Sequence, residues 1–371
     1  MDQRSNADRA KHRPRHAPAR RGQWLTVILA LVLGSAVFAA GPPGATASAV
    51  TPLVIAGDPV AALVGTAPGA KVIYAVGHNL LYRSADGGAS WTADGPQPPQ
   101  DRVVAAGDNP QLLLAGEQDN CARGGGGTPL YRSEDGGGSW QRVAGATGVR
   151  PLAIWGAAGV AFGSSCVGMQ ISTDAGRTWH AAPLTEANYD VTAFAPLATG
   201  AAAKPAALIA GTSEGGTSRV WRLDLTNPTR PFVGDVLKEF WGVGALAGVG
   251  QAYAIGTAQG VWISDDGGQT WTLRRQGLQD VTISVDPFEQ EIPPAEMERG
   301  FGINAVAIDP GDTGHLFAAT VNGLYETRDA GASWLRIPGL PGKVGALVLA
   351  PATGRLFAQT PAGVAEVDSG K

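Results

Sequence analysis

Residues 264–271 read Ser264-Asp265-Asp266-Gly267-Gly268-Gln269-Thr270-Trp271, and four further stretches of the 371-residue chain repeat the pattern Ser/Thr-x-Asp-Gly/Ala-Gly-x-Ser/Thr-Trp. The other copies occupy residues 84–91, 133–140, 172–179 and 327–334, each just after a short apolar run. Internal repetition at a period of roughly 40 to 50 residues marks a propeller or a solenoid. The signature has the chemistry of a tight hairpin turn. The carboxylates of Asp86, Asp135, Asp174, Asp266 and Asp329 and the Ser/Thr hydroxyls can accept hydrogen bonds from the turn's own amides, while glycine supplies positive φ. Trp91, Trp140, Trp179, Trp271 and Trp334 carry rings large enough to wedge between neighbouring sheets. Aspartates and tryptophans repeating in step invite a catalytic reading, but a structural role accounts for all of them.

Outward from the signature the same cadence recurs: an alternating apolar run, a turn, a second run, a turn, and a third run leading into the signature. Residues 303–308, 315–320, 323–327 and 334–337 display it most plainly. Alternation with a period of two, punctuated by Gly, Pro, Asp and Asn, predicts strands, and no window of this region has helical spacing. Units begin near Val60, Arg102, Arg150, Val191, Gly242, Gly302 and Lys343. The expected fold is all-β: a single β-propeller of seven four-stranded blades, with six or eight blades as the alternatives. The fourth unit lacks the Asp turn, and the seventh supplies three strands only. Residues 52–56 are expected to complete it and so tie the ring shut. A composition of 53 Gly and 26 Pro with 16% charged residues suits many short strands and tight turns.

Residues 1–23 carry seven Lys/Arg against two Asp, and residues 24–41 are almost wholly apolar. The expected organisation is a basic cytoplasmic segment at 1–23, a signal peptide or transmembrane anchor helix at 24–41, a linker or cleavage region at 42–50, and the propeller at 51–371. Cleaved or not, such a leader puts the propeller outside the cytoplasm, secreted or anchored to the outer side of the membrane. Removing the leader's charges from the totals leaves about −9 on the remainder, which argues against a nucleic-acid partner. The two cysteines, Cys121 and Cys166, fall in second-to-third-strand loops of adjacent units. In an oxidising compartment they are candidates for one disulfide across that seam, with two thiols as the alternative.

Strand alternation places the signature turns on one face, and the second-to-third-strand loops and unit-to-unit connections on the other. That second face collects His78, Arg102, Glu117, Asp119, Arg150, Tyr189, Asp190, Glu214, Trp241, Glu298, Arg299, Phe301 and Lys343. It also receives an acidic insertion at 276–302, read as a solvated lid, with a surface for a basic partner or a cation as the alternative. The five histidines have no ligand-like spacing, and neither a G-x-S-x-G elbow nor a phosphate-cradling loop occurs, so no metal, cofactor or catalytic set is expected.

The signatures resemble the Asp-box, or BNR, repeat of sialidases, sortilin-type receptors and extracytoplasmic propellers of the photosystem II assembly and stability factor type. The resemblance covers most of residues 51–371. A sialidase would be expected to show Arg-Ile-Pro near the domain's start, whereas the one copy here, Arg336-Ile337-Pro338, follows the last signature. The resemblance therefore implies a non-catalytic extracytoplasmic propeller that binds a protein, as an assembly or stability scaffold for a membrane complex. Arg102, Arg150, Tyr189, Asp190, Trp241 and Arg299 are the binding candidates, with three guanidiniums able to grip a carboxylate. The alternative is a sialidase-like exo-glycosidase or a carbohydrate-binding propeller.

Overall fold

The structure, a computed structural model, describes residues 50–64, 72–100, 102–119, 127–155, 157–182, 190–196, 206–212, 217–224, 227, 232–233, 238–284, 291–350 and 353–368. Seven antiparallel sheets follow one another along the chain, each a blade whose strands pair in chain order. Blade 1 comprises Asp58–Val64, Ile73–Gly77, Leu80–Ser84 and Thr92–Pro96, with the short Val54–Ile55 added beside its first strand. Blade 2 comprises Val103–Ala105, Leu113–Ala115, Pro129–Ser133 and Gln141–Thr147. Blade 3 comprises Arg150–Trp155, Val160–Ser165, Gly168–Ser172 and His180–Ala181. In blade 4, Asp190–Pro196, Ala206–Thr212 and Thr217–Asp224 are followed by an outer edge split into Phe232–Val233 and Lys238–Trp241, both paired to the third strand. Blade 5 comprises Ala245–Val249, Ala252–Thr257, Gly260–Ser264 and Thr272–Arg274, and blade 6 Ile303–Asp309, Asp312–Thr320, Gly323–Thr327 and Leu335–Ile337. Blade 7 has Ala346–Ala350, Arg355–Thr360, Gly363–Asp368 and, from the other end of the domain, Val50–Pro52.

The ring therefore closes as expected, but two residues earlier than 52–56. Val50 pairs with Val367 and Pro52 with Ala365. Beyond them the chain turns back at Ala56 and Gly57, both at positive φ, so that Val54 and Ile55 pair with Pro59 and Asp58 of blade 1 instead. The expected leader helix at 24–41 lies outside the described residues, and no helix among the described residues is long and apolar enough to cross a membrane. One short helix, Pro294–Arg299, does form inside the insertion, where strand periodicity predicted none.

The core is a set of layers between blades, and the signature turns build them. In all five, the opening Ser/Thr hydroxyl donates to the Asp Oδ1 at 2.6–2.8 Å. The same hydroxyl accepts the amide of the second glycine position at 2.7–3.0 Å. The closing Ser/Thr gives its amide to Oδ1 and its hydroxyl to Oδ2. That second glycine stands at φ from 79° to 100°, and at Gly88, Gly137, Gly176 and Gly331 it lies flush against the preceding blade. A β-carbon on Gly176 would sit 2.7 Å from Leu114 Cδ2, one on Gly331 2.6 Å from Ile263 Cδ1, and those on Gly88 and Gly137 would collide with Phe357 and Leu81. Each signature tryptophan follows its glycine into the same seam: Trp91 meets Phe357 of blade 7 edge-on at 6.2 Å, and Trp334, 2% exposed, joins Val261, Leu278 and Val306 between blades 5 and 6. The wedging role expected of these rings is what the structure contains.

Candidate functional site

The topology separates two faces with different chemistry. The signature turns, joining third to fourth strands, share one face with the first-to-second hairpins, and their five carboxylates are consumed by the turns. The closing and opening hydroxyls and amides hold Asp86, Asp135, Asp266 and Asp329 down at about 2. At Asp174 burial opposes the same bonds without overcoming them, and its carboxyl is also lowered. These aspartates are spent on local structure and offer nothing to a substrate.

The opposite face carries a second repeated device that the sequence reading missed. Thr257, Thr320 and Thr360 each end a second strand, donate their hydroxyl to the carbonyl of the glycine three residues on at 2.9 Å, and accept the amide two residues on. Ser165 does the same in blade 3. The signal was present as Ser/Thr-x-x-Gly at the start of the third strand in blades 3, 5, 6 and 7. Blade 1 substitutes a buried carboxylate: Asp58 accepts the amides of His78 and Asn79 and the Tyr82 hydroxyl at 3.1 Å. These turns make a rigid rim, since their polar backbone groups are satisfied locally.

Polar side chains concentrate on this rim where blades 2 and 3 meet. Arg102 immediately precedes the first strand of blade 2, and Arg150 opens the first strand of blade 3. Arg150 Nε donates to Ser164 Oγ at 3.3 Å, and Ser164 Oγ donates to Gln118 Oε1 at 3.2 Å, so a side-chain relay crosses the seam. Asp119 accepts the amides of Gly127 and Thr128 at 3.1 and 2.9 Å. Arg102 is solvent-accessible yet crowded by protein: desolvation pushes its guanidinium below the ordinary arginine value, and Glu117 pulls it back up. It remains a cation throughout the physiological range. Cys166, at the exposed tip of the blade 3 turn, is disulfide-bonded, with its Sγ 3.4 Å from the Asp119 carbonyl oxygen. Cys121, the chain's one other cysteine, lies outside the described residues.

The remaining candidates are spread around the ring. Asp190 is the first residue of the inner strand of blade 4, opposite Thr212. Trp241 ends the outermost strand of that blade, opposite Thr217, at the periphery of the ring. Arg299 is the last residue of the short helix. Tyr189 and Glu214 lie outside the described residues. His78, Glu117, Glu298 and Lys343 are exposed.

The insertion needs correction. Its first part is no solvated lid: Leu278, Val281 and Ile283 are fully buried, the first two in the core between blades 5 and 6. Ile283 N donates to Ala258 O, which ties the insertion to the rim turn of blade 5, and Gly302 N donates to Val281 O, which ties the end of the insertion back to its first part. Asp280 accepts the Tyr325 hydroxyl at 2.6 Å. This pair and Tyr82–Asp58 are two tyrosine–carboxylate couples among the described residues. In both, burial first and the carboxylate second push the phenol up, so these hydroxyls stay protonated donors rather than nucleophiles. Among the described residues no group of three His, Cys, Asp or Glu side chains is placed to hold a metal ion.

A family model described as BNR/Asp-box repeat matches residues 170–181 and 262–273, two of the five signatures. No curated protein matches the chain. Among solved structures, the chain is similar to one described as YCF48 bound to D1 peptide, with 14% identity and a TM-score of 0.54, over 88% of this chain and 96% of that one. It is also similar to a GH74 enzyme from Niastella koreensis, with 14% identity and a TM-score of 0.41 over 81% of this chain and 62% of that one. The GH74 xyloglucanase from Xanthomonas campestris gives 17% identity and a TM-score of 0.47 over 81% of this chain and 50% of that one. Likeness at such identities is likeness of fold. The chain is a seven-bladed propeller built on BNR/Asp-box repeats.

Proposed function

We propose that this chain is a non-catalytic propeller outside the cytoplasm that holds a peptide segment of a protein partner on the rim opposite the signature turns, as a scaffold for a membrane complex. The observation that carries the reading is the junction of blades 2 and 3, where Arg102 immediately precedes one inner strand, Arg150 opens the next, and Ser164 and Gln118 relay from Arg150 across the seam. Two cations on a rigid rim suit an acidic or carboxylate-bearing segment. The protonated tyrosines and fully engaged signature aspartates support binding over turnover. The peptide-bound state of the YCF48 structure supports a protein ligand for this architecture. The basic and then apolar leader and the disulfide at Cys166 both support an oxidising, extracytoplasmic location.

The test is capture of partners from the host's own membranes by the purified protein, compared with Arg102→Ala and Arg150→Ala, singly and together. A defined protein complex retained by the parent, lost at least tenfold in the double variant and weakened by raising salt, is the expected result. Glycan retention accompanied by hydrolysis of aryl glycosides or sialosides would overturn the reading.

A further inference from the structure

The rim turn of blade 6 places an asparagine–glycine pair under a guanidinium. Asn322-Gly323 is the one Asn-Gly sequence in the chain, and it joins the second strand of that blade to the third. Asn322 is exposed, and its carboxamide is bonded to no described residue. The carboxamides of Asn79 and Asn304, by contrast, donate to Asp58 Oδ1 at 3.4 Å and to Val344 O at 2.8 Å. The turn holds the main chain of the pair: Asn322 N donates to Thr320 Oγ1 at 3.1 Å, and that hydroxyl donates to Gly323 O at 2.9 Å. From the outer strand of the blade, Arg336 Nη2 donates to Asn322 O at 2.7 Å. The guanidinium lies along the peptide bond itself, since a β-carbon on Gly323 would stand 3.0 Å from Arg336 Nε and 3.3 Å from Nη2. A charge-assisted hydrogen bond to that carbonyl draws electron density from the amide and stabilises the anion left when the Gly323 N–H loses its proton. Having no β-carbon, Gly323 also leaves this nitrogen unshielded.

We propose that Asn322 is a self-modifying site, converted to aspartate and isoaspartate by its own neighbour, with water as the co-reactant. Gly323 N, its proton passed to solvent, attacks Asn322 Cγ. The Cγ–Nδ2 bond breaks, Nδ2 takes up a proton and leaves as ammonia, and a five-membered cyclic imide remains. Water adds to one of the two imide carbonyls. Opening on one side restores the original main chain with aspartate at 322, and opening on the other carries the main chain through Cβ and Cγ as isoaspartate. One water is consumed and one ammonia released, with no change of oxidation state. Either product sets a carboxylate beside Arg336. Isoaspartate also lengthens the main chain between the two groups that Thr320 Oγ1 holds, and Thr320 O accepts the amide of Val344 at the start of blade 7 at 2.9 Å. The charge of the rim and the joint between blades 6 and 7 therefore change with the age of the molecule. The conversion needs no partner and stands apart from the binding reading of the rim.

The experiment is incubation of the whole protein in mildly alkaline buffer made with isotopically labelled water, followed by peptide mass spectrometry. The peptide carrying Asn322 is expected to take up label and to divide into aspartyl and isoaspartyl forms, while the peptides carrying Asn79 and Asn304 stay unchanged. Arg336→Gln, at an exposed position of the outer strand, is expected to slow the conversion about tenfold through loss of one charge-assisted hydrogen bond, and Arg336→Lys to retain most of the rate. Denaturant midpoints equal to the parent's establish that both variants are folded. Asn322 that stays an amide in the folded protein while the same chain converts in urea overturns the proposal, because the turn then shields the pair. Equal rates in the parent and in Arg336→Gln overturn it as well, because the guanidinium then plays no part.

Discussion

At the scale of single residues, the propeller depends on positions where a side chain is forbidden as much as on those where one is required. Gly137 combines a φ of 100° with direct apposition to Leu81 of the preceding blade. An alanine there meets both a left-handed backbone penalty and an overpacked seam. Gly137→Ala is expected to cost about 3 kcal/mol, read as a lower denaturant midpoint with an unchanged slope. The neighbouring position is more permissive, since Ala175 and Ala330 occupy it at φ of 59° and 52°. The sequence shows this difference directly: the first glycine of the signature alternates with alanine, and the second never does. Arg150, by contrast, looks in sequence like any strand-opening charge. Only the hydrogen bond to Ser164 and the relay to Gln118 single it out.

At the scale of elements, each signature turn is a small carboxylate-centred cage whose stability depends on charge. The folded values of about 2 at Asp86, Asp135, Asp266 and Asp329 lie below the ordinary 3.8. A depressed carboxyl stabilises the fold above its ordinary value, and that contribution fades as pH falls from about 4 towards 2. The propeller is therefore expected to lose stability steeply through that window, measured as the denaturant midpoint against pH. Asp266→Asn is expected to be less stable at neutral pH and to show a shallower acid slope. The rim turns should be insensitive to this window in blades 3, 5, 6 and 7, because Ser or Thr hydroxyls do the capping there, whereas blade 1 uses the buried carboxylate of Asp58. The insertion shows where reading by element falls short. Its acidic and proline-rich composition suggested solvent exposure, yet Leu278, Val281 and Ile283 are fully buried, the first two in the seam between blades 5 and 6, and their spacing makes no sustained periodic signal.

At the scale of the whole molecule, stability depends on a closed circuit. Seams of packed side chains join all neighbouring blades, and the last seam, between blades 7 and 1, is held by Phe357 against Trp91 and by Thr353 Oγ1 donating to Gly87 O at 2.9 Å. Val50–Pro52 seals it from the far end of the chain. Removal of the chain through Pro52 is expected to bare the edge of Gly363–Asp368, lower the melting temperature by roughly 5–10 °C and produce concentration-dependent self-association by size exclusion. A melting curve and elution profile matching the intact protein would show that the closing strand is dispensable.

Much of this was determined by the amino-acid sequence alone: the all-β class, seven units, the turn chemistry, the seam role of the tryptophans and the existence of an N-terminal closing strand. Most of those features arise from contacts a few residues apart, repeated often enough to be seen five times over, and the closing strand follows from the seventh unit supplying only three strands. The tertiary structure decided the rest. It set which three residues close the ring, Val50–Pro52 rather than 52–56, because the turn at Ala56 and Gly57 pairs Val54 and Ile55 with blade 1 instead. It buried the start of the insertion, raised the phenols of Tyr82 and Tyr325 against Asp58 and Asp280, and joined Gln118, Ser164 and Arg150 across a seam. These pairings link residues 14 to 46 positions apart through the curvature of the ring, a distance at which no local periodicity carries information.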